Sequence, residues 1–347
     1  MALTTYGSPS GRINRLKGEI LAHAIPVEVL GITGMQKRMP RNQGDTVIYR
    51  RWLPYGAAAT NGNTINRWTV DSVAHVLQEG ITPPVDSLTP QDISVTLQQY
   101  GVLYGVTDKV VDLYEDDVPS EMKKQTGERM GLVREMIRWG VVKGGTNVFY
   151  QGGTSRATVD EKISLTMLRK ISRNLQANHA KRITSILSAS PDYATTPVEA
   201  AYLVFTHTDV EADIRDLPGF KHVSEYGQRK VIHEQEIGSC ENFRFILSPE
   251  LAPIPDSGAA IGATGLYSTT GTLIDVYPII VTGEDAWGQV ALRGMDSVDP
   301  TWIPPGEKTK DDPLGQRGYV GAKMYMSAVR LNEGTMAVLE AGISSLA

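Results

Sequence analysis

Four side chains in one stretch, His207, His222, His233 and Cys240, are of types that can hold a metal or activate a nucleophile. A tetrahedral zinc site takes its nitrogen and sulfur ligands at characteristic intervals, and the spacings here match no common set. His233-Glu234-Gln235-Glu236-Ile237 begins like the H-E-x-x-H zinc helix, but Ile237 stands where the second histidine must be, so the metal-binding face is incomplete. Cys240, just before Glu241-Asn242, could serve as a nucleophile beside a base. Its plainer reading is a single buried thiol. The remaining histidines, at 23, 75 and 179, are scattered.

Phosphate and acyl chemistry fare no better. The dipeptide Gly-Lys occurs nowhere, which excludes a P-loop. The glycines at 258, 262 and 265 have the wrong spacing for a dinucleotide fingerprint and read as a flexible loop. No G-x-S-x-G elbow is present. The carboxylate pairs Asp116-Asp117 and Asp311-Asp312 sit in loop-like contexts and read as solvated. No catalytic residue, cofactor site or metal site is therefore expected, and the chain reads as a non-enzyme.

The elements that would position any site are those of a globular chain of 347 residues, 41% hydrophobic and 21% charged. With 34 Lys+Arg against 39 Asp+Glu, the net charge of −5 argues against a dedicated nucleic-acid binder. One cysteine rules out a disulfide scaffold and any multi-thiolate zinc site. No apolar run approaches the ~20 residues of a membrane span, and no signal-peptide core is seen, so the expected location is the cytosol or a particle assembled there. Charge is uneven. Residues 1–51 carry Arg12, Arg15, Lys17, Lys37, Arg38, Arg41, Arg50 and Arg51 against Glu19, Glu28 and Asp45, a basic arm on an acidic body.

Periodicity gives an α+β order. Residues 1–43 read as an extended arm with a short helical pattern at Ile13–His23. Gly44–Leu53 reads as a strand, with Val47 and Tyr49 on one face and Ile48 and Trp52 on the other. A second strand is expected at Asp92–Val106, and the polar excursion between them, including Gly56–Asn66, reads as a projecting loop unable to bury its own apolar residues. A long helix at 120–143 is expected to start at Ser120 as N-cap, expose Thr126, Met130, Val133, Ile137 and Val141 to a core, and stop at Gly144-Gly145. A second helix is expected to open with the box Thr158–Glu161 and carry Ile163, Met167, Ile171 and Leu175. Beyond it lie strands at Ala201–Phe205, Phe243–Leu247, Leu273–Val281 and Val290–Leu292, and a brief helix at Asp209–Asp216. Asp299–Arg317 reads as a polar loop. The chain closes with a hairpin-like pair, Tyr319–Leu331 and Met336–Ala341, about a turn at Asn332-Glu333-Gly334.

This order, with Lys37-Arg38-Met39-Pro40-Arg41-Asn42-Gln43-Gly44-Asp45-Thr46-Val47, Leu217-Pro218-Gly219-Phe220, the run Glu236–Phe245 and the closing segment Gly318–Leu339, resembles the major capsid proteins of tailed bacteriophages with the Hong Kong 97-type fold, most closely their N-four-like branch. The resemblance covers nearly the whole chain. It implies an N-terminal arm at 1–43, an extended loop at 44–95, a peripheral domain at 96–184 with its spine helix at 120–143, an axial domain at 185–315, and closing strands at 316–347 that return to the peripheral and axial sheets. It further implies self-assembly into hexamers and pentamers of an icosahedral shell enclosing double-stranded DNA without sequence-specific binding. A portal protein, with separate scaffolding and decoration proteins where the head uses them, would be the other partners. The location would be the virion, assembled in the host cytoplasm without a membrane.

Two departures limit the resemblance. Some members chain their subunits by a Lys–Asn isopeptide bond from the extended loop; no lysine occurs here between Lys37 and Lys109, so no such cross-link is expected. The arm is reached within about 40 residues without sustained heptads, so assembly is expected to use a separate scaffold or none. Arginine and aromatic residues dominate interface energetics, which makes Arg50, Arg51, Trp52, Tyr55, Arg67 and Trp68 the expected inter-subunit contacts. The rival readings are an encapsulin-like or minor shell protein of the same fold, and a cytosolic enzyme built around Cys240 and His233.

Overall fold

The computed structural model describes residues 28–40, 42, 44–52, 72–82, 85, 87–88, 90–113, 117–187, 195–227, 230–262, 265–292, 298–308 and 310–346. The helical pattern at Ile13–His23, the turn region Gly56–Asn66 and Asp116 lie outside them. In chain order the first half forms β1 (Met35–Met39), β2 (Thr46–Trp52), β3 (Pro90–Thr96), β4 (Gln98–Thr107), α1 (Asp108–Leu113), α2 (Val118–Val142), β5 (Val148–Tyr150) and α3 (Leu165–Ala177). The second half forms β6 (Ile183–Leu187), β7 (Thr195–Thr206), α4 (Glu211–Arg215), β8 (Lys221–His222), β9 (Glu236–Cys240) and β10 (Phe243–Leu247). It continues with β11 (Tyr277–Thr282), β12 (Trp287–Leu292), β13 (Asp299–Ile303), β14 (Arg317–Arg330) and β15 (Met336–Ala341).

Helix α2 starts earlier than its spacing predicts. Asp117, not Ser120, is the cap: its carboxylate accepts the Ser120 amide at 3.1 Å and the Ser120 hydroxyl at 2.5 Å, which places Ser120 inside the first turn. Pro119 occupies that same turn, where an amide hydrogen would have no helical acceptor. Asp117 therefore has a structural task that the solvated-pair reading did not give it. The buried face also turns along the helix. Thr126 and Met130 are buried as expected, but farther along Arg134, Glu135, Arg138, Trp139 and Val142 are the buried residues, while Val133, Ile137 and Val141 are half-buried. An apolar-only stripe could not anticipate this, because the charged residues are covered by partners from distant segments.

Helix α3 also departs from expectation. Ser164 caps it, accepting the Met167 amide at 3.3 Å. Thr158 instead ends a separate 3-10 turn at Arg156–Thr158 with its own box to Ser155, so the Thr158–Glu161 box does not open this helix. Ile163 is buried ahead of α3, with Leu168, Ile171 and Leu175.

Two main sheets form the body. A five-stranded sheet has the order β1-β12-β14-β13, with β4 also paired to β14. An eight-stranded sheet has the order β5-β15-β11-β7-β10-β9-β8, with β6 also on β7. The expected strand at Asp92–Val106 is two strands: β3 pairs with β2 as a separate two-stranded ribbon, and β4 runs antiparallel to β14 from Gln98 to Thr107. The expected closing hairpin is not one. β14 and β15 follow each other through a 3-10 turn but enter different sheets, β14 the five-stranded and β15 the eight-stranded. Asp299–Ile303, read as loop, is a strand on β14. The block 185–315 does not stay in one sheet either, since β12 and β13 join the five-stranded one.

The eight-stranded sheet is buried on both faces, which makes its strands continuous apolar runs rather than alternating ones. On one face Tyr202, Val204, Phe243, Phe245, Ile279 and Leu339 pack with Leu168, Ile171 and Leu175 of α3. On the other, Leu203, Phe205, Ile246, Ile280 and Val338 pack with Trp287, Trp139 and Leu30. In the five-stranded sheet, Val320, Ala322, Met324 and Met326 of β14 are buried while Lys323 and Tyr325 face outward, the period of two that the sequence shows.

Candidate assembly surface

The β2–β3 ribbon stands on a small apolar foot. Val47 and Val95 are buried against Met39 and Val290 of the five-stranded sheet, with Tyr49 packed beside them. Burial pushes the Tyr49 phenol up to about 12. Ile48 and Trp52 point the other way and are exposed, as the alternation predicts. Across the ribbon, Arg50 makes a bidentate pair with Asp92, with Nε–Oδ1 and Nη2–Oδ2 both at 2.7 Å, and that pair holds the Asp92 carboxyl below its ordinary range. Arg51 donates from Nε to Gln91 at 2.7 Å. Of the expected contacts, then, Arg50 and Arg51 already have partners within the chain and Trp52 presents an open indole. Tyr55, Arg67 and Trp68 lie outside the described residues.

The residues leading back to β3 are the ones that a search for arginine and aromatic types missed. Val73, Val76, Leu77, Ile81, Val85 and Leu88 are all exposed, from 62% for Ile81 to 93% for Val85. Scattered exposed aliphatics are ordinary, but six within sixteen residues form a stretch with no core of its own among the described residues. The available signal was apolar content inside a segment too rich in turn residues to fold alone.

A buried ion cluster anchors the chain just ahead of β1. Glu28 is paired with Arg134 and with Arg138, whose Nη1 lies 2.5 Å from its Oε2. Glu135, fully buried, accepts the backbone amides of Val29 and Leu30 at 3.0 and 2.9 Å. Arg138 reaches Gln289 of β12 at 2.8 Å. Burial lifts the Glu135 carboxyl above its ordinary range, against the pull of Arg138 and the two amides.

The residues with metal or nucleophile chemistry do not converge. His207, His222 and His233 each accept, at Nδ1, the backbone amide two residues ahead, at 3.1, 3.2 and 3.1 Å. Each thus closes its own turn, a job that needs only a neighbouring acceptor. No group of three or more potential ligands forms among the described residues. Glu236, in the zinc-like run, is taken up by Arg244 at 2.6 Å, the Tyr226 hydroxyl at 2.8 Å and the Ile232 amide at 2.7 Å. Cys240 is buried, and burial raises its thiol above the ordinary value, the opposite of what an activated nucleophile requires. Among the described residues, no helix is long and apolar enough to cross a membrane.

A ribbon projecting from a five-stranded sheet with a long helix, beside a larger buried sheet, is the Hong Kong 97-type capsid fold, and solved phage heads share it. The chain superposes on the capsid of Ralstonia phage GP4 with a TM-score of 0.63 at 12% identity, covering 90% of this chain and 88% of that one. On the cyanophage Pam1 capsid the TM-score is 0.55 at 14% identity, covering 99% and 97%. On the head of Helicobacter pylori bacteriophage KHP40 it is 0.54 at 12% identity, covering 99% and 95%. In sequence, the chain is 22% identical over 249 residues to the major capsid protein of Pseudomonas phage KPP21, a match covering 66% of this chain and 62% of that protein. The chain thus spans less than two thirds of that relative's length. No family model matches it.

Proposed function

We propose that the chain is a major capsid subunit, a non-enzymatic protein that associates with copies of itself as hexamers and pentamers of an icosahedral phage head around double-stranded DNA. The carrying observation is the set of exposed aliphatics Val73, Val76, Leu77, Ile81, Val85 and Leu88 between β2 and β3, set on a capsid fold. A protein destined to remain alone would gain nothing from such a stretch; a repeated subunit can bury it against a neighbour. The N-four-like branch is our reading of its place, supported by the ordered segments Lys37–Val47, Leu217–Phe220 and Glu236–Phe245.

In this reading the five-stranded sheet with α2 is the peripheral domain and the eight-stranded sheet the axial one, so 287–330 returns to the peripheral side. Residues 44–95 are the extended loop, with Trp52, Tyr55, Arg67 and Trp68 as inter-subunit contacts and Arg50 and Arg51 stiffening its ribbon. Portal, scaffolding and decoration proteins would be the further partners, and assembly would take place in the host cytoplasm. Negative-stain electron microscopy with light scattering on the purified chain tests the assignment. Rings, tubes or closed shells are expected, unaided or with the virus's scaffold. A discrete monomer or dimer under both conditions would overturn it, and small closed shells holding protein would favour an encapsulin-like container.

A further inference from the structure

In a chain of net charge −5, the segment 162–182 contains Lys162, Arg169, Lys170, Arg173, Lys181 and Arg182 and no Asp or Glu. Helix α3 forms its centre. Leu168, Ile171 and Leu175 hold one side of the helix to the eight-stranded sheet. The opposite side presents Thr166, Arg169, Lys170, Arg173 and Gln176, all exposed. Four of the cations have partners: Arg169 bonds Glu241 at 2.8 Å, Lys162 lies 3.1 Å from Asp213, and Lys170 and Arg182 each sit 5.9 Å from a ring centre, that of Phe149 and that of Tyr202. Lys170, Arg173 and Lys181 make no ion pair among the described residues.

The company these cations keep narrows the partner. Protein interfaces bury aromatic and aliphatic residues at their centre, and the outer side of α3 exposes no large apolar residue. A phosphate backbone needs only Lys and Arg with neutral donors beside them, and Thr166 and Gln176 are such donors. One helical turn separates Arg169 from Arg173, about 6 Å, a spacing from which two long side chains can reach neighbouring phosphates.

We propose that the outer face of α3, together with the exposed Lys181 four residues past its end, is a sequence-independent contact for the phosphate backbone of duplex DNA. That this duplex is the packaged genome, and that the face therefore lines the interior, rests on the capsid reading; the contact itself rests on the charge and the side chains. With three cations outside any ion pair the contact is shallow. Counterion release of about 0.9 per neutralised phosphate gives a binding constant falling roughly 40-fold between 50 and 200 mM salt. Such a contact holds DNA against a wall without arresting it.

The test is fluorescence anisotropy of a labelled random-sequence duplex with the full chain, across that salt range. The triple variant Lys170→Glu, Arg173→Glu, Lys181→Glu is expected to bind at least tenfold more weakly at 50 mM salt, and Arg173→Lys alone to bind as the parent does. Polyglutamate is expected to displace the duplex at least tenfold less effectively per charge. Unchanged binding by the triple variant would overturn the proposal. So would displacement by polyglutamate as effective as by DNA, which would assign the face to an acidic protein. Microscopy of the same samples separates the two readings. Shells from both proteins with equal DNA binding would sink the contact and keep the capsid. Loss of binding in the variant, with no shells from either protein, would keep the contact and sink the capsid.

Discussion

Glu28 and Arg138, 110 residues apart in sequence, meet with Oε2 and Nη1 at 2.5 Å in a place where neither side chain is more than slightly exposed. The pair fixes the start of the described chain to the second half of α2, and Glu135 holds the next two amides beside it.

Arg138→Ala would leave Glu28 with Arg134 alone and Glu135 with its two backbone amides alone, with Gln289 also deprived of its donor. Removing one partner of a buried ionic cluster costs about 3–5 kcal/mol. Denaturant unfolding should show a loss of that order; a loss below about 1 kcal/mol would mean that water replaces the guanidinium.

Glu135 also gives the cluster a pH signature. Its folded carboxyl is lifted, so the folded chain keeps that proton at higher pH than the unfolded chain does. Its contribution is complete below the ordinary carboxylate range and is lost as pH rises through the lifted value. Glu28, Arg134 and Arg138 are the charged groups around it. Glu135→Gln keeps an acceptor for Val29 and Leu30 and cannot titrate. Subtracting its unfolding free energies from those of the parent between pH 5 and 8 should leave a downward slope, and a flat difference would sink the assignment.

Leu77→Ser, Ile81→Ser and Val85→Ser together should leave subunit stability within about 0.5 kcal/mol, as surface changes do. The same variant should fail to form shells where the parent forms them. Normal shells from it would show that these side chains do not carry the contact between subunits.

How far the sequence foretold this structure depended on whether a residue's partner was near it. The alternation in β14, the run Phe243–Leu247 and the existence of α2 were readable because each is a local pattern. The burial of Arg134, Glu135 and Arg138 was not, because Glu28 and Gln289 are far away in the chain. The closing hairpin was misread for a related reason: a short turn between two strands looks the same whether they pair or part into separate sheets. On the candidate surface, residue type singles out Trp52, which the fold leaves exposed, but passes over the exposed aliphatics from Val73 to Leu88, because hot-spot chemistry favours aromatic and arginine side chains.

Gly34 is held close to the largest buried side chain of the core. A methyl group on it would stand 2.7 Å from the Trp287 ring. Gly34→Ala should therefore cost about 1–3 kcal/mol through overpacking, measured by the same unfolding curves, together with a shift in tryptophan emission as the indole is displaced. An unchanged midpoint would mean that β1 can move away freely.

Cys240 should resist alkylation in the folded chain at neutral pH and react promptly in denaturant, because burial raises its thiol. Mass spectrometry after timed iodoacetamide treatment reads this directly. Rapid native labelling would revive an enzymatic role at this position.

The parting of β14 and β15 bears on how the chain is made. β14 is the strand on which β4, β12 and β13 all assemble, and β15 lies between β5 and β11. Both are synthesised after every strand they join. Until β14 has been made β4 lacks its partner, and until β15 has been made β5 lacks its own, so each sheet gains its seam only with its last strand. The described fold consequently cannot close before β15 has left the ribosome. Chains arrested before β14 and β15 emerge should be protease-sensitive in both sheets at once.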